Sequence, residues 1–266
     1  MTRFKGFTTL SCVLVMASSL SAQNHLTGKE IQEKSIAATR AAGTEAVATM
    51  TIIDGEGRER VRQIAQATKL CDGGETEKKL IRFLSPADVK GTGFLTFDTR
   101  NGEDDKWLYM PALRKTRRIV SSENARSFMG SEFSYADITP PAVEDFTYRI
   151  LGESAVGGTA CWELEITPVD DDVADENGFS KKRTFMGKDD FVIRKARYYD
   201  LDGELHKKLT VLEIRELDAQ NHKYRLMHMQ MENMQNGRKS ILKVNKIQYS
   251  PNVKDDLFTL RYLSRE

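Results

Sequence analysis

From Ala46 to Ser250 the chain is written in short stretches that alternate apolar and polar residues and stop at turn residues. This period of two constrains the fold more than any other feature, because it puts one face of each stretch in a core and leaves the other wet. AVATMTIID, GEG and RERVRQIAQATKL (46–70) read as strand, tight turn, strand. KKLIRFL, GFLTFD, DKWLYMPAL and TRRIVSS follow, and a second series runs from DFTYRIL at 145 to KSILKVNKIQYS at 239. Asp202-Gly203 and Asn236-Gly237 are strong hairpin signals. Eleven or more strands joined mostly by hairpins imply one antiparallel sheet that curls. No low-complexity linker and no repeat period interrupts them, so residues 23–266 are expected to form a single domain.

Residues 26–43, near the start of that span, follow a different rule. LTGKEIQEKSIAATRAAG (26–43) predicts a helix with its start written in. Thr27 and Glu30 have the spacing of a capping box, Leu26 and Ile31 that of a staple, and Gly43 is the expected stop. Upstream, Arg3 and Lys5 precede an apolar run from Phe7 to Leu20 and a small-residue exit at Ala22. This is the pattern of a secretory signal peptide, residues 1–22, too short to span as a typical helix. Cleavage after Ala22 is favoured, with Ser19 the alternative. Cys12 lies inside the apolar run, where a lipid-attachment cysteine would follow it, and Cys71 and Cys161 remain to form a disulfide or two thiols.

Without Arg3 and Lys5 the chain holds 38 basic and 39 acidic residues, so no global field favours nucleic acid or an anionic membrane. Catalytic patterns are absent from the sequence. Ser131 and Ser154 lack the second glycine of a nucleophile elbow, and His25, His206, His222 and His228 follow no metal-binding spacing. The acidic run from Asp170 to Glu176 lacks alternating calcium ligands and is expected to be a solvated hairpin tip. No enzyme activity, metal or cofactor is expected.

Two apolar features are left. SFMGSEFSYADI (127–138) sets Phe128, Met129, Phe133 and Tyr135 around Gly130, and Met227, Met229 and Met231 recur at period two on one strand face. Methionine adapts to irregular apolar partners, so the stripe suits either a cavity lining or core filling. As Cu(I) ligands the three fail on geometry, since Met227 and Met231 stand about 13 Å apart along a strand. Trp107 and Tyr109 share one face of their strand, and Leu108 and Met110 the other.

FLSPADVKGTGFL (83–95), DKWLYMPALRKTRRI (105–119), SFMGSEFSYADI (127–138) and DDLFTLRYLSRE (255–266) resemble the outer-membrane lipoprotein-sorting proteins, relatives of the periplasmic lipoprotein carrier LolA. The resemblance implies a mainly β, α+β fold: a strongly curved, incompletely closed antiparallel barrel with a helical lid. It implies a periplasmic carrier that holds acyl chains of lipoproteins or other lipids and moves them toward the outer membrane. Its partners would include an inner-membrane exporter and an outer-membrane acceptor. The alternative is a lipid-sensing or adaptor domain that docks on an exporter without ferrying. On either reading the cavity or lid candidates are Trp107, Tyr109, Phe128, Met129, Phe133, Met227, Met229 and Met231, with Gly130 as hinge. The basic run Arg114, Lys115, Arg117 and Arg118 faces acidic headgroups or a docking protein, or is a solvated strand end.

Overall fold

The alternating stretches become thirteen strands of one antiparallel sheet among the described residues. A computed structural model describes residues 2, 26–100, 104–139 and 142–265, so the expected signal peptide lies outside the described residues apart from Thr2. The chain begins with α1 (Gly28–Thr39), β1 (Gly43–Ile53), β2 (Glu59–Cys71), β3 (Thr76–Ser85), β4 (Gly93–Thr99), β5 (Asp105–Met110) and β6 (Lys115–Arg118). A long connection carrying α2 (Tyr135–Ile138) leads to β7 (Phe146–Val156) and β8 (Thr159–Pro168). After α3 (Asp171–Asn177) come β9 (Lys181–Gly187), β10 (Ile193–Tyr199), β11 (Leu205–Asp218), β12 (Lys223–Asn233), β13 (Lys239–Tyr249) and α4 (Leu260–Leu263).

Strand neighbours in the sheet are neighbours in sequence except at one seam, where β1 pairs with β13. The meander has one gap, between β6 and β7, and these two strands are the sheet edges. The sheet is curved and unclosed. Inward side chains of β1 to β5 meet in one cluster that includes Met50, Ile52, Ile64, Phe83, Phe94 and Leu108. The same curl lets a single helix reach both ends of the sheet. α1, about 18 Å long at 1.5 Å per residue, has Gly28 against Tyr148 of β7 and its C-cap Arg40 bonded to Asp98 of β4.

α1 starts as its sequence predicts. Thr27 and Glu30 form the capping box, and Leu26 and Ile31 pack in one cluster with Leu164 and Met186. It stops earlier than expected, at Thr39, and Gly43 instead opens β1. A side chain at 43 would put its Cβ 2.3 Å from the Ser250 carbonyl oxygen, so glycine is needed there for a close strand approach and not for a helix stop. The acidic run corrects the expectation of a bare hairpin tip. Asp170 caps α3 by accepting from the Val173 N–H, and Asp171 and Asp172 sit in the first turn, where acidic groups suit the helix dipole.

The convex face is wet over much of its area, but not behind β2 to β5. There Ala67, Leu80, Leu95 and Tyr109 are covered by Val253, Phe258 and Leu263 from the C-terminal segment. Cys71 and Cys161 are free thiols. No described helix is long and apolar enough to cross a membrane.

Candidate functional site

Where a hairpin would have joined β6 to β7, residues 119–139 fold back into the concave side of the sheet. Two local devices shape this segment. Phe128–Gly130 form one 3-10 turn, and Ser134 caps α2 in a second capping box with Asp137. Between them Ser127 and Ser134 make an isolated antiparallel bridge, and the Phe128 N–H donates to the Phe133 carbonyl at 2.7 Å. The result is a compact plug that carries three buried aromatic side chains. Phe128, with 0% of its surface exposed, packs on Phe83, Phe94 and Tyr135 with ring centroids 6.0, 5.3 and 5.6 Å away. Phe133 packs with Ala196, Leu209 and Met231 on the other half of the sheet.

Polar groups from distant strands hold the plug. Glu132 is buried; the Arg238 guanidinium lies 2.9 Å from its Oε1, and Asn233 Nδ2 donates to its Oε2 at 2.9 Å. The Glu132 N–H donates to Ser240 Oγ, also at 2.9 Å. Met129 and Gly130 both have left-handed backbones, φ +53° and +76°. For Met129 that conformation costs energy, and the surroundings must impose it. Arg62 of β2 donates to the Met129 carbonyl and Arg238 to the Gly130 carbonyl. Lys79 donates to the Ile138 carbonyl at 2.7 Å, and the Tyr198 hydroxyl to Asp137 Oδ1 at 3.0 Å. Sequence reasoning missed Glu132, Arg62, Arg238 and Asn233. A signal for Arg62 existed: it stands two residues before Ile64, an inward position where the alternating pattern calls for an apolar residue.

The candidate residues are not brought into one lining. Phe128 and Met129 share the cluster of β1 to β5, whereas Phe133, Met229 and Met231 share the cluster of β10 to β12. Met227 belongs to a third, with Ala46, Ala48 and Val244. Trp107 and Tyr109 are on the convex face beneath Phe258 and Leu263, and Leu108 and Met110 are the pair that points inward. In the basic run Arg117 pairs with Glu123 and Arg118 with Asp105. Arg114 and Lys115 are exposed in a strand end.

A cavity of about 1080 Å³ lies beside the plug between α1 and the two sheet edges, and none of the eight apolar candidates lines it. Its walls include Ile36 of α1 and its C-cap Arg40, Asp98 and Lys106 of β4 and β5, Ala136 of α2, and Phe146. Arg40 and Asp98 form a buried ion pair at 2.6 Å across this space. Burial pushes the Asp98 carboxyl up to about 6, against the opposing pull of Arg40. The lining is amphiphilic: the Arg40–Asp98 and Lys106–Asp104 pairs stand among aliphatic groups such as Ile36, Ala37 and Ile119.

A family model described as "Uncharacterized protein" matches residues 75–265. No curated protein sequence matches the chain. Among solved structures, a domain described as an outer membrane lipoprotein-sorting protein, from Vibrio parahaemolyticus, is 28% identical with a TM-score of 0.80, over 90% of this chain and 98% of that one. A DUF1329 family protein from Desulfovibrio piger is 29% identical with a TM-score of 0.80, over 89% and 97%. A LolA superfamily protein from Nitrosomonas europaea shares the fold at 18% identity and a TM-score of 0.67, over 90% and 100%.

Proposed function

We propose that this chain, which belongs to the outer membrane lipoprotein-sorting proteins of LolA-like fold, works in the periplasm as a carrier of acyl chains. The cargo would be lipoproteins or other lipids, received from an inner-membrane exporter and passed toward an outer-membrane acceptor. One observation carries this reading. The apolar interior of the half-barrel is filled by residues 127–138, a segment outside the sheet that an acyl chain could replace.

Release is the difficult part of a carrier's task. Each buried methylene is worth about 0.8 kcal/mol, so a long chain enclosed in an empty cavity would gain more than about 10 kcal/mol and hardly leave. A plug changes this balance. Cargo that enters must expel Phe128 and Phe133, whose burial is worth about 1.5–3 kcal/mol each, and must break the hold on Glu132. The net affinity is then small enough for transfer.

Lipids that co-purify with the protein should be identified by mass spectrometry, and a fluorescent fatty acid titrated against it. The expected result is binding with a negative heat-capacity change, the signature of apolar burial, and tighter binding by Phe128→Ala, whose plug competes less. No co-purified lipid and no probe binding to either form would sink the carrier reading. The complete burial of Phe128 would then favour the second reading, an adaptor that docks on an exporter with its interior permanently closed.

A further inference from the structure

Adjoining the large cavity, and sharing Ala136, Phe146 and Asn177 with it, is a second cavity of about 260 Å³. At about 30 Å³ per water it has room for several waters, more than a single ion needs. Lys182, Tyr198 and Lys207 reach it from three adjacent strands, with His206 beside them and Asp137 from α2. Lys182 is the cross-strand partner of Tyr198, and Tyr198 of Lys207. The two lysines therefore stand two strands apart, about 10 Å between Cα atoms, and their four-carbon stems let both ammonium groups approach one small ligand.

Neither lysine makes a direct ion pair with a carboxylate among the described residues; burial disfavours the Lys182 ammonium, and the nearby Asp137 charge favours it in part. The Lys182 ammonium lies 5.5 Å from the Phe179 ring and 5.3 Å from the Tyr198 ring, and these faces are its described partners. Asp137, the carboxylate in the same cavity, has its oxygens engaged elsewhere. Oδ1 accepts from Tyr198, and Oδ2 accepts from the Ser134 N–H and hydroxyl at 2.9 Å each. Burial, and then Lys207, hold the His206 imidazole below its ordinary range. Two half-buried ammonium groups without a direct ion pair leave room for an anionic group to complete the site.

We infer that this cavity is an oxyanion site, taking a carboxylate or phosphate group between Lys182 and Lys207. Its source is the headgroup of an amphiphilic cargo, a point that rests on the carrier reading; the oxyanion chemistry does not. The site gives the carrier a preference for anionic over neutral amphiphiles.

Isothermal titration of the whole mature chain with four probes tests this: inorganic phosphate, laurate, lauroyl lysophosphatidate and the uncharged monolauroylglycerol. At least one anionic amphiphile should bind about tenfold or more tighter than the neutral one. The Lys182→Gln/Lys207→Gln variant should lose that margin and keep its affinity for monolauroylglycerol. If circular dichroism shows the double variant unfolded, Lys207→Gln alone should still reduce the margin. Binding of phosphate by itself, lost in the variant, would uphold the site with a free anion as occupant. That result with no amphiphile bound would remove the carrier reading and leave the site standing. Equal affinity for neutral and anionic amphiphiles without phosphate binding, or a margin that survives both variants, would overturn the proposal.

Discussion

Phe128 has no exposed surface and touches three other rings, so removing its ring should leave a hole that rigid strands cannot collapse into. Phe128→Ala is expected to cost about 3–5 kcal/mol in urea unfolding. A loss under about 1 kcal/mol would mean that the plug is loosely seated and the ring largely replaceable by water. Asp98 makes a pH-dependent contribution instead. Its carboxyl titrates near about 6 when folded, set first by burial and modified by Arg40, Asp104, Lys79 and Glu77; in the unfolded chain an aspartate titrates near about 3.9. The folded state holds this proton more tightly. The resulting stabilisation is complete below about 4 and is lost as pH rises through about 6. Thermal unfolding between pH 4 and 7 should therefore show the native chain losing stability relative to Asp98→Asn across that window, and parallel curves would refute the shift.

α1 illustrates how differently the two ends of one element can be read. Its start depends on residues within one turn, Thr27, Glu30 and Ile31, and the sequence carries that information locally. Its end depends on Arg40 reaching Asp98 across 58 positions and on Gly43 fitting beneath Ser250, neither of which a local pattern encodes. Docking of α1 rests on Ile31, fully buried against Leu164 and Met186. Ile31→Ala should cost about 2–5 kcal/mol and raise amide exchange along Gly28–Thr39 above that of the central strands. Unchanged exchange in α1 would mean that Arg40 and the Lys29–Glu144 pair hold the helix without it.

The motif blocks that carried the resemblance are separate in sequence and paired in space. Trp107 and Tyr109 lie on the convex face under Phe258, Tyr262 and Leu263, so the DKWLYMPALRKTRRI and DDLFTLRYLSRE motifs meet in one cluster through these residues. SFMGSEFSYADI fills the opposite, concave face. A chain ended after Ser250 should uncover Leu80, Leu95 and Tyr109, an apolar patch of the kind that drives association. It is expected to bind a hydrophobic dye and to self-associate while keeping its β signature in circular dichroism. A monomeric, dye-silent truncation would show that the C-terminal cover is dispensable to the sheet.

What the sequence by itself determined is the succession of strands, their hairpins at Asp202-Gly203 and Asn236-Gly237, and the start of α1. Each follows from the period of two, from turn residues or from a cap, all of them signals read within a few residues. What only the tertiary structure decided is which face of each strand looks inward, the seam of β1 with β13, and the fate of 127–138 as a plug. Alternation gives two faces and no sign, as Trp107 and Leu108 illustrate: both are apolar, and the curl of the sheet sends them to opposite sides. The anchors of the plug were equally hidden, because Glu132 meets Asn233 across 101 positions of sequence and Arg238 lies farther still.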